Sequence, residues 1–136
     1  MLLEPMFRTH PHPASTHGEE ARACVESSTD CAQACTVCAD ACLSETESHD
    51  LVHCIRLCLD CADICELTAR LLVRPSHRDA PTLHLQLQAC VQICKACADE
   101  CTEHAETMKM EHCRLCAEAC RRCVTACERM MAALVP

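Results

Sequence analysis

Apolar positions recur along this chain in alternating steps of four and three residues, and in the middle of each run the recurring residue is cysteine. The plainest case is Cys54-Ile-Arg-Leu-Cys58-Leu-Asp-Cys61-Ala-Asp-Ile-Cys65. At 3.6 residues per turn, side chains at i, i+4, i+7 and i+11 share an arc of about 60° and form a stripe about 16 Å long. That is the a/d seam of a coiled-coil helix with every Leu replaced by Cys. A strand would scatter the same four residues over both faces. The word repeats at Cys31, Cys35, Cys38 and Cys42, at Cys90, Cys94, Cys97 and Cys101, and at Cys116, Cys120, Cys123 and Cys127. Cys24 lies seven residues before Cys31 and Cys113 three before Cys116, so all 18 cysteines fall on four stripes.

Four stripes predict four helices. The first is expected from Glu19 to Thr46, with acids in its first turn. After the polar linker 44–48, the second runs from His49 to Arg74, where Pro75 stops it. Its stripe is edged by Leu51, Ile55 and Ala62 on one side and Leu57, Ile64 and Leu71 on the other. That arc is wider than one seam needs, so part of it is expected to face another subunit. Ser76 or Asp79 can cap the third helix, which ends near Glu106. Thr107 is the expected cap of the fourth, which continues to Leu134. Short connections make this an all-α, up-down-up-down four-helix bundle with a Cys-lined core, spanning residues 19–136. Residues 1–18 hold three of the six prolines and the one glycine. They are expected to be a flexible tail in which His10, His12 and His17 are solvated rather than metal-bound.

Composition sharpens the picture. Phe7 is the one aromatic residue, and a single Gly leaves too few turn residues for sheet hairpins. The net charge of −8, with 12 basic residues dispersed among 20 acids, argues against a nucleic-acid partner. No segment is long and apolar enough to span a membrane. Cysteine this dense usually means a secreted disulfide scaffold. Yet the N-terminus lacks a signal-peptide core. Neighbours within a stripe also have Cβ atoms about 5–6 Å apart, too far for a disulfide. The expectation is a cytosolic protein with reduced thiols.

A single buried Cys is usually just a small hydrophobe. Four copies of one word at every seam position are not, because Leu would fill that space better. Thiolate is the softest protein ligand and selects Cu(I), zinc or iron–sulfur clusters. Zinc and iron–sulfur sites usually draw discrete ligand sets from turns and loops. An unbroken ladder suits an ion content with two or three bridging sulfurs, which is Cu(I), and one monovalent ion per thiolate leaves the tube near neutral. Iron–sulfur or zinc clusters on the same ladders remain an alternative. A dithiol redox protein is a further one, although no exposed Cys at a helix N-terminus in a βαβ context supports it. On each reading the cysteines bind or exchange, and no catalytic residues stand out.

The two ends of the bundle differ. Beyond the stripes at one end lie Leu72, Leu83, Leu87, Met130 and Leu134, a hydrocarbon plug. At the other lie His49, His53, His104, Met108 and His112, with Met110 close by, which makes that end polar and soft.

The four C-x3-C-x2-C-x3-C words, with Cys24 and Cys113, resemble the bacterial cytosolic copper storage proteins, cysteine-lined four-helix bundles. The resemblance covers residues 20–134. It implies many Cu(I) ions held in the bundle core, entry at a His/Met-bearing mouth, and a homotetramer. The 18 thiols are the expected ligands, and copper is expected to arrive from cytosolic copper carriers. Exported relatives carry a twin-arginine signal, and its absence here matches the cytosolic branch. The mouth residues expected by position are His53, His104, Met108 and His112.

Overall fold

The computed structural model describes residues 2–12, 18–76 and 78–134. Its elements are α1 (Leu3–Thr9), α2 (Gly18–Leu43), a 3-10 turn at Ser48–Leu51, α3 (Val52–Leu72), α4 (Ala80–Thr107) and α5 (Glu111–Leu134). Helices α2–α5 close a ring: α2 packs on α3, α3 on α4, α4 on α5 and α5 on α2. The diagonal pairs, α2 with α4 and α3 with α5, do not meet through their backbones. Short links make successive helices antiparallel, and the result is the expected up-down-up-down bundle. Among the described residues there is no strand, and no helix is long and apolar enough to cross a membrane.

Local chemistry sets the helix ends. The Asp79 carboxylate accepts from Thr82 N–H at 3.1 Å and caps α4, while Pro81 sits in its first turn where no amide hydrogen is needed. At the end of α3, Val73 N–H bonds back to Ala69 O, and the Arg78 guanidinium donates to the Leu72 carbonyl at 3.0 Å. A cation there complements the helix dipole. The α4–α5 turn passes through Lys109 at φ 58°, a left-handed position more usual for Gly or Asn.

Three expectations need correction. Thr107 does not cap α5: it belongs to α4, where its hydroxyl donates to Glu103 O at 2.8 Å. The chain turns two residues later, at Lys109. The second bundle helix is not α-helical from His49, because Ser48–Leu51 forms a 3-10 turn first. Part of the proposed tail is ordered. Leu3–Thr9 is a helix, carrying an Arg8–Glu4 ion pair at 2.8 Å. Phe7 is buried and Leu3 packs against the bundle core. Seven residues are too few for a helix that stands alone, so tertiary contact holds this one. His10 Nδ1 accepts from His12 N–H at 2.9 Å, and His17 lies outside the described residues.

Candidate metal centre

All 18 cysteines are free, and none is more than 1% exposed. Small residues make this possible. Ala21, Ala32, Ala39, Ala62, Ala98 and Ala117 are buried beside the stripes, so the helices approach closely enough for thiols to meet across the axis. Sulfurs touch even between diagonal helices: Cys35 to Cys97 at 4.0 Å, and Cys58 to Cys116 at 4.0 Å. The core is therefore a narrow column of sulfur.

Along that column the sulfurs are linked without a break. Cys54 lies 3.7 Å from Cys101, Cys58 3.7 Å from Cys97, Cys61 3.6 Å from Cys94, and Cys65 3.6 Å from Cys94. On the other flank, Cys38 lies 3.8 Å from Cys113, Cys31 3.6 Å from Cys120, and Cys24 3.6 Å from Cys127. A metal about 2.3 Å from each sulfur spans such separations when it has three or four ligands.

Four-ligand groups with all donor atoms within 4.8 Å of one another include Cys31/Cys61/Cys65/Cys94, Cys31/Cys35/Cys61/Cys120, Cys35/Cys97/Cys116/Cys120 and Cys38/Cys58/Cys101/Cys116. Cys31, Cys35, Cys61, Cys116 and Cys120 each belong to two of them. Separate tetrahedral sites would not share ligands in this way; bridged ions would.

The thiols of the column cannot ionise uniformly, because thiolates this close repel one another. Some sulfurs receive hydrogen bonds and ionise early. Cys54, with Cys101 as its main donor, is held down at about 4. Cys61 falls to about 7 through Cys120, and Cys116 to about 7 through Cys101. The donors keep their protons: Cys101 is pushed up chiefly by its bond to Cys113, and Cys120 by its bond to Cys116. A soft cation bound by these sulfurs displaces protons from the thiols that keep them.

Of the expected mouth residues, His112 lies directly against thiols. Its Nδ1 lies 3.4 Å from Cys38 Sγ and 3.6 Å from Cys113 Sγ, while Nε2 lies 3.1 Å from Glu45 Oε1. With Cys38, Cys42 and Cys113 it makes a fifth four-ligand group. Burial alone would lower the pKa of this imidazole, but its bonds to Cys38 and Glu45 outweigh that and raise it. The His104 side chain, 12% exposed, pairs through Nε2 with Glu100 at 2.7 Å. Met108 is half-buried against the core.

His53 does not join them. One residue before Cys54 on a regular helix, it is turned about 100° off the stripe and is exposed. His49 is also exposed and pairs with Asp50.

Leu51 and Met110, named above for their position, and Ser28 and Glu45, which the sequence reading missed, also belong to the column and its ends. Leu51, three residues before Cys54, is fully buried, and Met110 is 7% exposed, so soft and apolar groups share the mouth end. Ser28 is fully buried on the α2 stripe, midway between Cys24 and Cys31, with Oγ 3.5 Å from Cys123 Sγ. Its spacing alone would have found it. Glu45 would not have been found, since its partner is 67 residues away. At the opposite end Leu72, Leu87 and Met130 are fully buried and Leu83 nearly so, and Leu134 is partly buried against the core.

A four-helix bundle whose core is a continuous, ligand-sharing column of reduced sulfur defines a protein built to hold many soft metal ions together. Comparison with known proteins identifies which class of metal store it is. The family model described as copper storage protein matches residues 17–132, and the chain belongs to that family.

Ccsp of Streptomyces lividans, a copper storage protein whose structure was solved loaded with 10 copper equivalents, is 47% identical. The alignment covers 96% of this chain and 98% of that one, with a TM-score of 0.91. A cytosolic copper storage protein from Streptomyces lividans, with five coppers, matches at 52% identity over 84% and 93% of the two chains, with a TM-score of 0.81. The Cu(I)-bound copper storage protein BsCsp3 is 38% identical over 82% of this chain and 98% of that one, with a TM-score of 0.72. The uncharacterized cysteine-rich protein YhjQ of Bacillus subtilis (strain 168) is 39% identical, covering 73% of this chain and 84% of that one.

Proposed function

We propose that this chain stores Cu(I) in the cytosol, holding many ions as bridged thiolates along the bundle axis. The observation that carries the reading is the sharing of buried sulfurs between neighbouring four-ligand groups. Cu(I) suits it because two- and three-coordinate ions tolerate bridging sulfurs, and one monovalent ion per thiolate keeps a buried column near neutral. The ligands are the 18 cysteines. Residues 19–136 form the storing unit, and its role is sequestration rather than catalysis.

Entry is at the His112 end, where His104, His112 and Met108 offer ligands weaker than thiolate and pass copper inward from cytosolic carriers. His53, exposed and away from the thiols, has no part in this. The assembly is a homotetramer. Leu59 and Leu67 on α3, 45% and 48% exposed, and Val37 on α2, 64% exposed, supply apolar surface for the subunit contacts. The cytosolic Streptomyces relative supports the compartment.

Anaerobic titration with Cu(I), followed by metal analysis of the desalted protein, tests the reading. Saturation is expected on the order of fifteen to twenty ions per chain. Saturation near four would mean isolated sites and would overturn storage.

A further inference from the structure

The two mouth imidazoles share a feature that their position does not require. His112 and His104 come from different helices, yet each is tied to a carboxylate through the same ring nitrogen, Nε2, by Glu45 at 3.1 Å and by Glu100 at 2.7 Å. An ionised carboxylate only accepts hydrogen bonds, so in each pair the Nε2 hydrogen is the one donated. In the neutral ring this leaves the lone pair on Nδ1.

For His112, Nδ1 is the atom that faces the sulfurs of Cys38 and Cys113. The other tautomer would aim an N–H at them and offer copper nothing there. Glu45 is well placed for the task. It follows α2 by two residues, with its own N–H bonded to Cys42 O at 3.2 Å. One short segment therefore carries Cys38, Cys42 and the carboxylate that orients the imidazole between them.

We propose that Glu45 and Glu100 are positioning residues for copper entry, holding His112 and His104 as Nε2–H tautomers so that Nδ1 is the nitrogen presented to Cu(I). This rests on the reading that copper enters at this end. Removing a carboxylate that orients a metal-binding imidazole typically weakens the site 10–100-fold, so an entry-step slowing of about tenfold is expected.

The test uses the full-length apo protein with ¹⁵N-labelled histidine, at a pH where the rings are neutral, followed by Cu(I) loading against a competing chelator. In the parent, long-range ¹H–¹⁵N spectra should show His112 and His104 with pyrrole-like Nε2 and pyridine-like Nδ1. Glu45→Ala should give His112 a mixture of tautomers and slow loading, with final capacity kept. Glu45→Gln, whose side-chain oxygen still accepts an N–H, should restore both. Glu100→Ala should act in the same way on His104.

A parent His112 protonated at Nδ1 would overturn the proposal. So would a Glu45→Ala protein that loads at the parent rate while His112→Phe loads slowly, an outcome that leaves the mouth reading intact. Parent-like loading by His112→Phe itself would remove both.

Discussion

The two ends of the sulfur column are built on one helical register and from opposite chemistries. Where the stripes run out toward the α3–α4 connection, the next seam positions are Leu72, Leu87 and Met130, all fully buried. Where they run out toward the α4–α5 turn, the residues met are His104, Met108 and, beside Cys113, His112. The first group is hydrocarbon apart from the Met130 thioether and holds no nitrogen donor. The second offers nitrogen and thioether sulfur backed by carboxylates. A step of three or four residues thus continues the same geometry while the side chain decides whether an end is sealed or addressed.

The first way to break this comparison is to remove the metal. The seam packs as a small apolar core in its own right, so the apo protein should keep its helical circular dichroism, and Cu(I) should raise the melting temperature by tens of degrees through mass action. Random-coil apo protein would show that the column is shaped by copper and that neither end exists without it.

Next come the ends themselves. Leu87→Ala opens a cavity in a fully buried position and should cost the apo protein about 2–5 kcal/mol in urea unfolding. His112→Ala, at a side chain 24% exposed, should cost under about 1 kcal/mol. Equal costs would erase the distinction between a structural end and a functional one.

The kinetic counterpart is the double replacement of His104 and His112 by Phe. Loading and removal should slow about tenfold, with capacity within about one or two ions of the parent. Rates equal to the parent under the same chelator would show that copper enters elsewhere.

The smallest effect belongs to Ser28. Ser28→Cys completes the α2 stripe beside Cys123 and should add about one ion per chain, while Ser28→Ala adds none. Unchanged capacity in Ser28→Cys would mean that the column already ends short of that level.

Much of this was legible in the residue spacing. A period of 3.6 carried by a single residue type placed all 18 thiols inside and fixed the number and order of bundle helices. Spacing failed where the third dimension decides. His53 and His112 each precede a seam cysteine by one residue, and the sequence treats them alike. The structure does not: His53 points to solvent, while His112 is drawn inward between Cys38 of α2 and Glu45 in the turn after it. Likewise α1 is too short and proline-flanked to announce itself, and it is held by the burial of Phe7 and the packing of Leu3. The Glu100–His104 pair was within reach as an i, i+4 contact. The Glu45–His112 pair was not.

The hydrocarbon plug of Leu72, Leu83, Leu87 and Met130 carries a consequence for the order of withdrawal. If the proposed His112 mouth is the one door, the column fills and empties as a stack does: the ion that entered last stands nearest the exit and leaves first. On that proposal the oldest copper, beside Cys24 and Cys127, would turn over most slowly, and a brief shortage would draw on the newest deposits alone. Copper loaded as one isotope and topped up with another should therefore come out in reverse order.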